Sequence, residues 1–196
     1  TSDTWFGRPQ ILQIANRKFN DVDEMNATLI KNWNKVVKKN DIIFHLGNFA
    51  WDPQTARQVL KKLNGQIYFM IGSSDEAFLD VQHEFENISI LEDQILELPQ
   101  FDSVICHYPL EAWNGKDSGT LHFHGHTVFS HKTDLSKMNR INVCTDFWNY
   151  TPVNYLTIKD FVLANKLCNK LLCDNNYIIN LFEYESANYE SLSISL

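Results

Sequence analysis

The sequence predicts an α/β fold. Helix-type and strand-type segments alternate along the first half of the chain, the strand-type segments are short continuous apolar runs, and ligand-type or turn residues collect where those runs end. A helix-strand alternation of this kind packs as βαβ units around a largely parallel sheet, and such sheets carry their sites at the carboxyl ends of the strands.

Taken in order, Asp23 to Lys39 places Met25, Leu29, Trp33, Val36 and Val37 mostly three or four apart, the spacing of a helix with one buried face. Ile42–Leu46 follows as a buried strand. Asp52-Pro53 opens a second helix with Ala56, Val59, Leu60 and Leu63 on one side, and Asn64-Gly65 stops it. Gln66–Ile71 is the next strand, closed by Gly72-Ser73-Ser74. Glu76–Glu86 reads as helical and Ile88–Leu98 as one or two short strands. Ser103–Cys106 reads as a strand ending at His107, Leu121–His124 as one ending at Gly125, and Arg140–Cys144 as one ending at Thr145-Asp146. Beyond Pro152, Ile158, Phe161, Val162, Leu167, Leu171 and Leu172 suit an amphipathic helix, Tyr177–Tyr184 a final strand, and the Ser- and Asn-rich last dozen residues a loosely held tail.

A chain of 196 residues fits one domain able to bury most of its apolar side chains without disulfides or a structural metal. With 44% hydrophobic and 21% charged residues, neither disorder nor a membrane class is indicated. No apolar run reaches the ~20 residues a bilayer span needs. The net charge of −7 argues against a surface that tracks nucleic-acid phosphates. Cys106, Cys144, Cys168 and Cys173 lack C-x-x-C spacing and read as reduced thiols, which fits the cytoplasm of a bacterium or of an infected host cell.

Seven segments carry a further signal: SDTWFG (2–7), EMNATLIKNWNKVV (24–37), HLGNFA (45–50), IGSSDE (71–76), CHYPLEAWNG (106–115), FHGHT (123–127) and RINVCTDFWNYTPV (140–153). In this order they resemble the calcineurin-like metallophosphoesterases, most of all the small versions of bacteria and phages. The resemblance runs from Thr1 to about Ile158. It implies a four-layer α/β/β/α sandwich of two mixed sheets over 1–158, with 159–196 as an extension that either covers the sandwich or docks a partner. It also implies that the family's first strand, which leads into Ser2-Asp3, is truncated or completed by other chain.

The family pattern is D-x-H, G-D, G-N-H-D/E, a lone His and G-H-x-H. It holds two divalent cations ~4 Å apart, bridged by the Asp of G-D and by a hydroxide that attacks the phosphate ester. Carried over, Asp3, His107 and His126 match metal ligands, whereas Trp5 stands for a His, Asn48 for the bridging Asp, Ser73 for an Asn, Ser74 for the proton-donating His and Val128 for the last His. Indole and isopropyl groups do not coordinate cations, and neutral oxygens hold Zn²⁺ or Mn²⁺ far more weakly than carboxylate or imidazole. Trp5 and Val128 are therefore expected to plug the first metal position. The family resemblance also matches Asn26, Trp33, His45, Tyr108, Pro109, Trp113, Asn114, Asp146 and Tyr150 as scaffold or rim.

Each candidate has a plainer reading as well. Asp3 can cap a turn, Asn48 is a favoured turn residue, and His107 and His126 can be core histidines bonded to carbonyls. His122, His124 and His131 lie nearby, but His122 and His124 alternate with Leu121 and Phe123 as on any strand. The expected function is a pseudo-phosphoesterase acting as a binding, regulatory or assembly subunit for another protein, with no cofactor beyond one weakly bound Zn, Mn or Ni ion. The alternatives are a residual single-metal phosphodiesterase or phosphomonoesterase, and a nucleotide-binding sensor for which Arg8 and Arg140 are the nearest basic residues.

Overall fold

The structure, a computed structural model, describes residues 1–128 and 139–164. The chain divides into two compact units, Thr1–Tyr155 and Leu156–Leu196. The first is an α/β body with two sheets. Strands β1 (Ile42–His45), β2 (Gln66–Phe69) and β3 (Ile88–Ile90) form a parallel three-stranded sheet in that order. Strands β4 (Ile95–Leu98), β5 (Ser103–Cys106), β6 (Leu121–His124) and β7 (Arg140–Asn142) form a mixed sheet in which only β4 is antiparallel. Helices α1 (Gln10–Ile14), α2 (Val22–Val36), α3 (Pro53–Leu60) and α4 (Glu76–Leu79) flank them.

The helix signals act as their chemistry requires. Asp21 caps α2 by accepting from the Glu24 amide, and the Glu24 carboxylate accepts in return from the Asn20 amide. Asp52 caps α3 through the Thr55 amide, with Pro53 in the first turn where its missing N–H costs nothing. Each such cap contributes about 1 kcal/mol. Met25, Leu29 and Trp33 of α2 and Ala56, Val59 and Leu60 of α3 face one core with Ile43, Ile67, Phe69 and Phe78. Aromatic rings organise its centre: Phe69 stacks on Phe78 at 3.7 Å and on His45 at 5.2 Å. Trp33 keeps its indole N–H satisfied by donating to the Asn64 carbonyl.

One expectation shifts. The Glu76–Glu86 helix stops at Leu79, and only a 3-10 turn, Gln82–Glu84, follows. Ala77, Phe78 and Val81 are the buried anchors of this stretch, and none of Gln82–Glu84 is buried, so nothing pins further α-helical turns. Ile88–Leu98 yields two strands that enter different sheets, so the chain crosses from one to the other between Ile90 and Ile95.

The segment Thr1–Phe6 joins the two sheets at their strand ends. Its carbonyls and amides alternate between partners: Leu46 donates to Thr1 and Asp3 donates to Gly47 on one side, while Ser2 exchanges bonds with Val143 and Thr145 on the other. Ser2 and Cys144 form a parallel bridge, as do Phe6 and Ala50. A helix begins at Tyr155, the last residue of the first unit, and the described residues of the second continue it to 164, with Ile158 and Val162 buried and Leu156 and Leu163 exposed, as the amphipathic spacing requires. Leu167, Leu171, Leu172, the expected strand Tyr177–Tyr184, His131, Cys168 and Cys173 lie outside the described residues. Among the described residues no helix is long and apolar enough to cross a membrane.

Candidate functional site

Five chain segments meet where the strands end. The first brings Asp3 and Trp5. The turn after β1 brings Gly47 and Asn48, that after β2 brings Gly72 to Asp75, β5 ends in His107, and β6 ends in Gly125 and His126. Glycine permits this convergence. A Cβ on Gly47, which sits at φ +91°, would meet the Gly72 backbone at 2.5 Å, and one on Gly72 would meet His107 Cε1 at 2.8 Å and the Asn48 amide at 2.9 Å. A Cβ on Gly125 would run into Ser2 and Asp3.

Backbone strain collects at the same place. Asp3, Trp5, Asn48 and His126 all hold positive φ, at 56°, 54°, 60° and 68°. Left-handed geometry costs a non-glycine residue on the order of 1–3 kcal/mol and persists where the surroundings over-determine it. For a tryptophan it is a pronounced outlier.

The side chains form one hydrogen-bonded cluster. Asn48 Nδ2 donates to Asp3 Oδ1 at 2.9 Å and faces His107 Nε2 at 3.4 Å; its Oδ1 accepts from Ser73 Oγ at 3.2 Å and from the Ser74 amide at 3.1 Å. Asp3 Oδ2 accepts from the His126 amide at 2.8 Å. His107 Nδ1 lies 2.6 Å from the Leu46 carbonyl, which can only accept, so Nδ1 carries the proton and Nε2 the lone pair. That lone pair is met by Asn48 and, at 3.2 Å, by His126 Nδ1. Behind the cluster, the buried Asp75 carboxylate gathers the amides of Asn48, Phe49 and Gly72 at 2.7–2.8 Å and so fixes the two turns against each other.

Burial sets the electrostatics. It raises the Asp3 carboxyl above its ordinary range, against the pull of His107 and the Asn48 amide. Burial also raises Asp75, opposed by its three amide donors. His126 is lowered by burial and by its neighbour His107. His45 is fully buried and lowered well below the ordinary value by desolvation; it donates from Nε2 to Thr4 Oγ1, which in turn donates to the Phe49 carbonyl.

Asp3, Asn48, Ser73, Ser74, His107 and His126 thus come together as the sequence led us to expect. Trp5 is buried in the core cluster, whereas Val128 is only half-buried and lies outside the buried core. His122 does not join: Nδ1 donates to Val104, Nε2 accepts from the Leu110 amide, and Trp113 covers the ring. His124 turns its Nδ1 to the Gly125 carbonyl. Arg140 is engaged by the Leu110 carbonyl and the Glu111 carboxylate. The scaffold residues act nearby: Asn26 accepts from the Gly7 amide, and Tyr108 lies edge-on to His107 and against His126.

The donors present do not fit two cations. Where the resemblance implies a bridging Asp, Asn48 offers an amide whose N–H₂ points at Asp3, and the His107 lone pair is occupied. Among the described residues no group of three or more His, Cys, Asp or Glu is arranged to hold a metal ion.

Two residues escaped the sequence reading. Asp75 lies inside IGSSDE, and an Asp after a Gly-Ser-Ser turn is a natural acceptor for turn amides, so its signal was there. Arg17 had none. It is 3% exposed, pairs bidentately with Asp146 at 2.8 Å, and donates to the carbonyls of Asp3 and Thr4, holding the strained loop from behind. Its carboxylate partner is 129 residues away in the sequence.

Fold and cleft together define an α/β protein of two sheets flanked by helices, with strand ends converging on a partly buried, internally hydrogen-bonded polar cluster. No family model matches the chain. The chain is 32% identical over 173 residues to the uncharacterized protein MJ1445 of Methanocaldococcus jannaschii, covering 85% of this chain and 91% of that protein, and it belongs to that protein's family. A crystal structure of AQ665, a protein of unknown function from Aquifex aeolicus, has a similar fold: TM-score 0.62 at 21% identity, covering 82% of this chain and 96% of that one.

Proposed function

We propose that this chain is a pseudo-phosphoesterase: a four-layer α/β/β/α protein of calcineurin-like metallophosphoesterase descent that does not hydrolyse phosphate esters and serves in the cytoplasm as a binding, regulatory or assembly subunit for another protein. The observation that carries this reading is the Asn48 carboxamide, which ties Asp3, His107, Ser73 and Ser74 together. Its N–H₂ presents partial positive charge to a buried carboxylate, where the family resemblance calls for an anion shared by two cations. Binding a cation here means breaking these bonds and stranding polar atoms out of water. Two large side chains beside the cluster remain available to a partner: Trp51 is 51% exposed and Tyr108 44%. Aromatic anchors of this kind are enriched at protein interfaces.

Metal analysis of the purified protein, with turnover of bis(p-nitrophenyl) phosphate in added Mn²⁺, tests the reading. The expected result is sub-stoichiometric metal and no turnover above background. Restoring the family residues together (Trp5→His, Asn48→Asp, Ser73→Asn, Ser74→His and Val128→His) is expected to create Mn²⁺ binding by calorimetry. Tight stoichiometric metal in the natural protein, with turnover abolished by His107→Ala, overturns the proposal and establishes the second reading, a single-metal phosphoesterase. The 3.2 Å approach of the His107 and His126 ring nitrogens is what favours that alternative.

A further inference from the structure

Among the described residues, Arg8 takes no part in the cluster and has no carboxylate partner. Its guanidinium carbon lies 4.2 Å from the Trp5 ring centre and 4.8 Å from that of Trp51. Its Nε is shut off from solvent and has no hydrogen-bond partner. Desolvation lowers its pKa, with no carboxylate acting in the other direction. Arg57, by contrast, has its Glu84, Arg17 its Asp146 and Arg140 its Glu111. In a chain of net charge −7, an arginine held against two indoles and lacking an anion is a donor fork waiting for one. A planar guanidinium stacked on aromatic rings is preorganised for bidentate contact with an oxyanion, because few rotamers remain to be lost on binding.

The second observation is the space beside it. Trp51 also borders a surface depression of about 290 Å³ lined by Pro53, Ser74, Ala77 and the carboxylate residues Glu76 and Asp80. This volume is at the small end for small-molecule sites. Half-exposed Trp51 offers a flat apolar surface for a ring to stack on, and the two carboxylates offer acceptors to an amino group.

From these features we infer a binding site for a nucleoside monophosphate with an amino-bearing base: the phosphate on Arg8, the base on Trp51, and the exocyclic amine toward Glu76 and Asp80. The inference stands on Arg8 and its neighbours, and holds whether or not the adjoining cluster retains any metal or hydrolysis.

Isothermal calorimetry on the full chain with AMP, adenosine and inorganic phosphate tests it. AMP is expected to bind at one per chain, more tightly than either fragment. Arg8→Gln is expected to weaken AMP on the order of tenfold or more, the loss of a charge-assisted hydrogen-bond pair. Trp51→Ala is expected to weaken it several-fold, about what one stacked base contributes. Arg8→Lys, which keeps the charge without the fork, provides a second variant should the Gln protein fold poorly, and is expected to lose most of the affinity. The inference is overturned by absence of AMP binding at millimolar concentration, by phosphate binding as tightly as AMP, by adenosine doing so, or by Arg8 variants that bind AMP like the parent.

Discussion

Nδ2 of Asn48 lies 2.9 Å from Oδ1 of Asp3, both residues being buried at the meeting point of the two sheets. The contact is favourable because one partner is a donor and the other an acceptor. Its sign reverses if the donor becomes a carboxylate, since like charges this close in a desolvated site cannot both ionise.

Asn48→Asp is therefore expected to cost about 3 kcal/mol in chelator at alkaline pH, the scale of an uncompensated buried charge. Less is expected in mild acid, where one shared proton relieves the pair. Urea unfolding at the two pH values measures both. Equal stability of variant and parent at alkaline pH would show that Asn48 is not holding this carboxylate.

Histidine burial sets the acid limit. Burial, with lesser contributions from His122, Arg140 and His107 and against the Gly125 carbonyl, lowers His124 from the ordinary 6.5 to about 4. His45 and His122 are lowered too, by desolvation first. A lowered histidine means that the unfolded chain takes up the proton first, so the stability it contributes is whole above 6.5 and drains away as pH falls towards 4. Burial raises Asp3 and Asp75, which act oppositely: each adds stability as pH falls from its folded pKa to the ordinary carboxylate value. The His124 shift alone corresponds to about 3 kcal/mol. His124→Asn is expected to flatten the urea-stability profile across this window; an unchanged slope would contradict the assignment.

Arg17 secures the strained loop through Asp146 and the carbonyls of Asp3 and Thr4. Arg17→Met removes the guanidinium from three acceptors at once, the Asp3 and Thr4 carbonyls and the partly buried Asp146 carboxylate. The expected loss is about 3–5 kcal/mol. Asp146→Asn should cost less, because the carbonyl bonds survive. Denaturant midpoints order the two, and the reverse order would place the main restraint on Asp146 instead.

Glycine positions separate crowding from backbone strain. Gly47 and Gly119 sit at φ +91° and +105°, but a Cβ on Gly47 meets the Gly72 backbone at 2.5 Å while one on Gly119 meets nothing within 4 Å. Gly119→Ala is expected to cost about 1–2 kcal/mol, the left-handed penalty alone. Gly47→Ala adds a clash of roughly 1–3 kcal/mol and pushes the cleft turns apart. Thermal melts compare them, and equal costs would mean that the turns are not packed so closely.

Much of this architecture was legible in local pattern. The spacing of Met25, Leu29 and Trp33, the helix start at Asp52-Pro53, and the apolar runs that became β1, β2, β5 and β6 depend on neighbours within a few residues, which a sequence displays. The candidate cluster was legible for the same reason, because its members stand at strand ends beside glycines. The break in the Glu76–Glu86 helix was not, since it turns on which side chains find a buried partner.

What the sequence by itself determined is the alternation of elements and the residue types delivered to their ends, including the Asn48 amide and the Trp5 indole. Tertiary structure alone decided that Ile88–Ile90 and Ile95–Leu98 enter different sheets, that Val128 stays outside the core while Trp5 enters it, that Arg17 reaches Asp146, and that Arg8 lies against two indoles with no carboxylate partner among the described residues. The reason is physical. Helix and strand propensity act over a turn or two, whereas the pairing of a buried charge and the filling of a cleft depend on groups that only folding brings within a few ångströms.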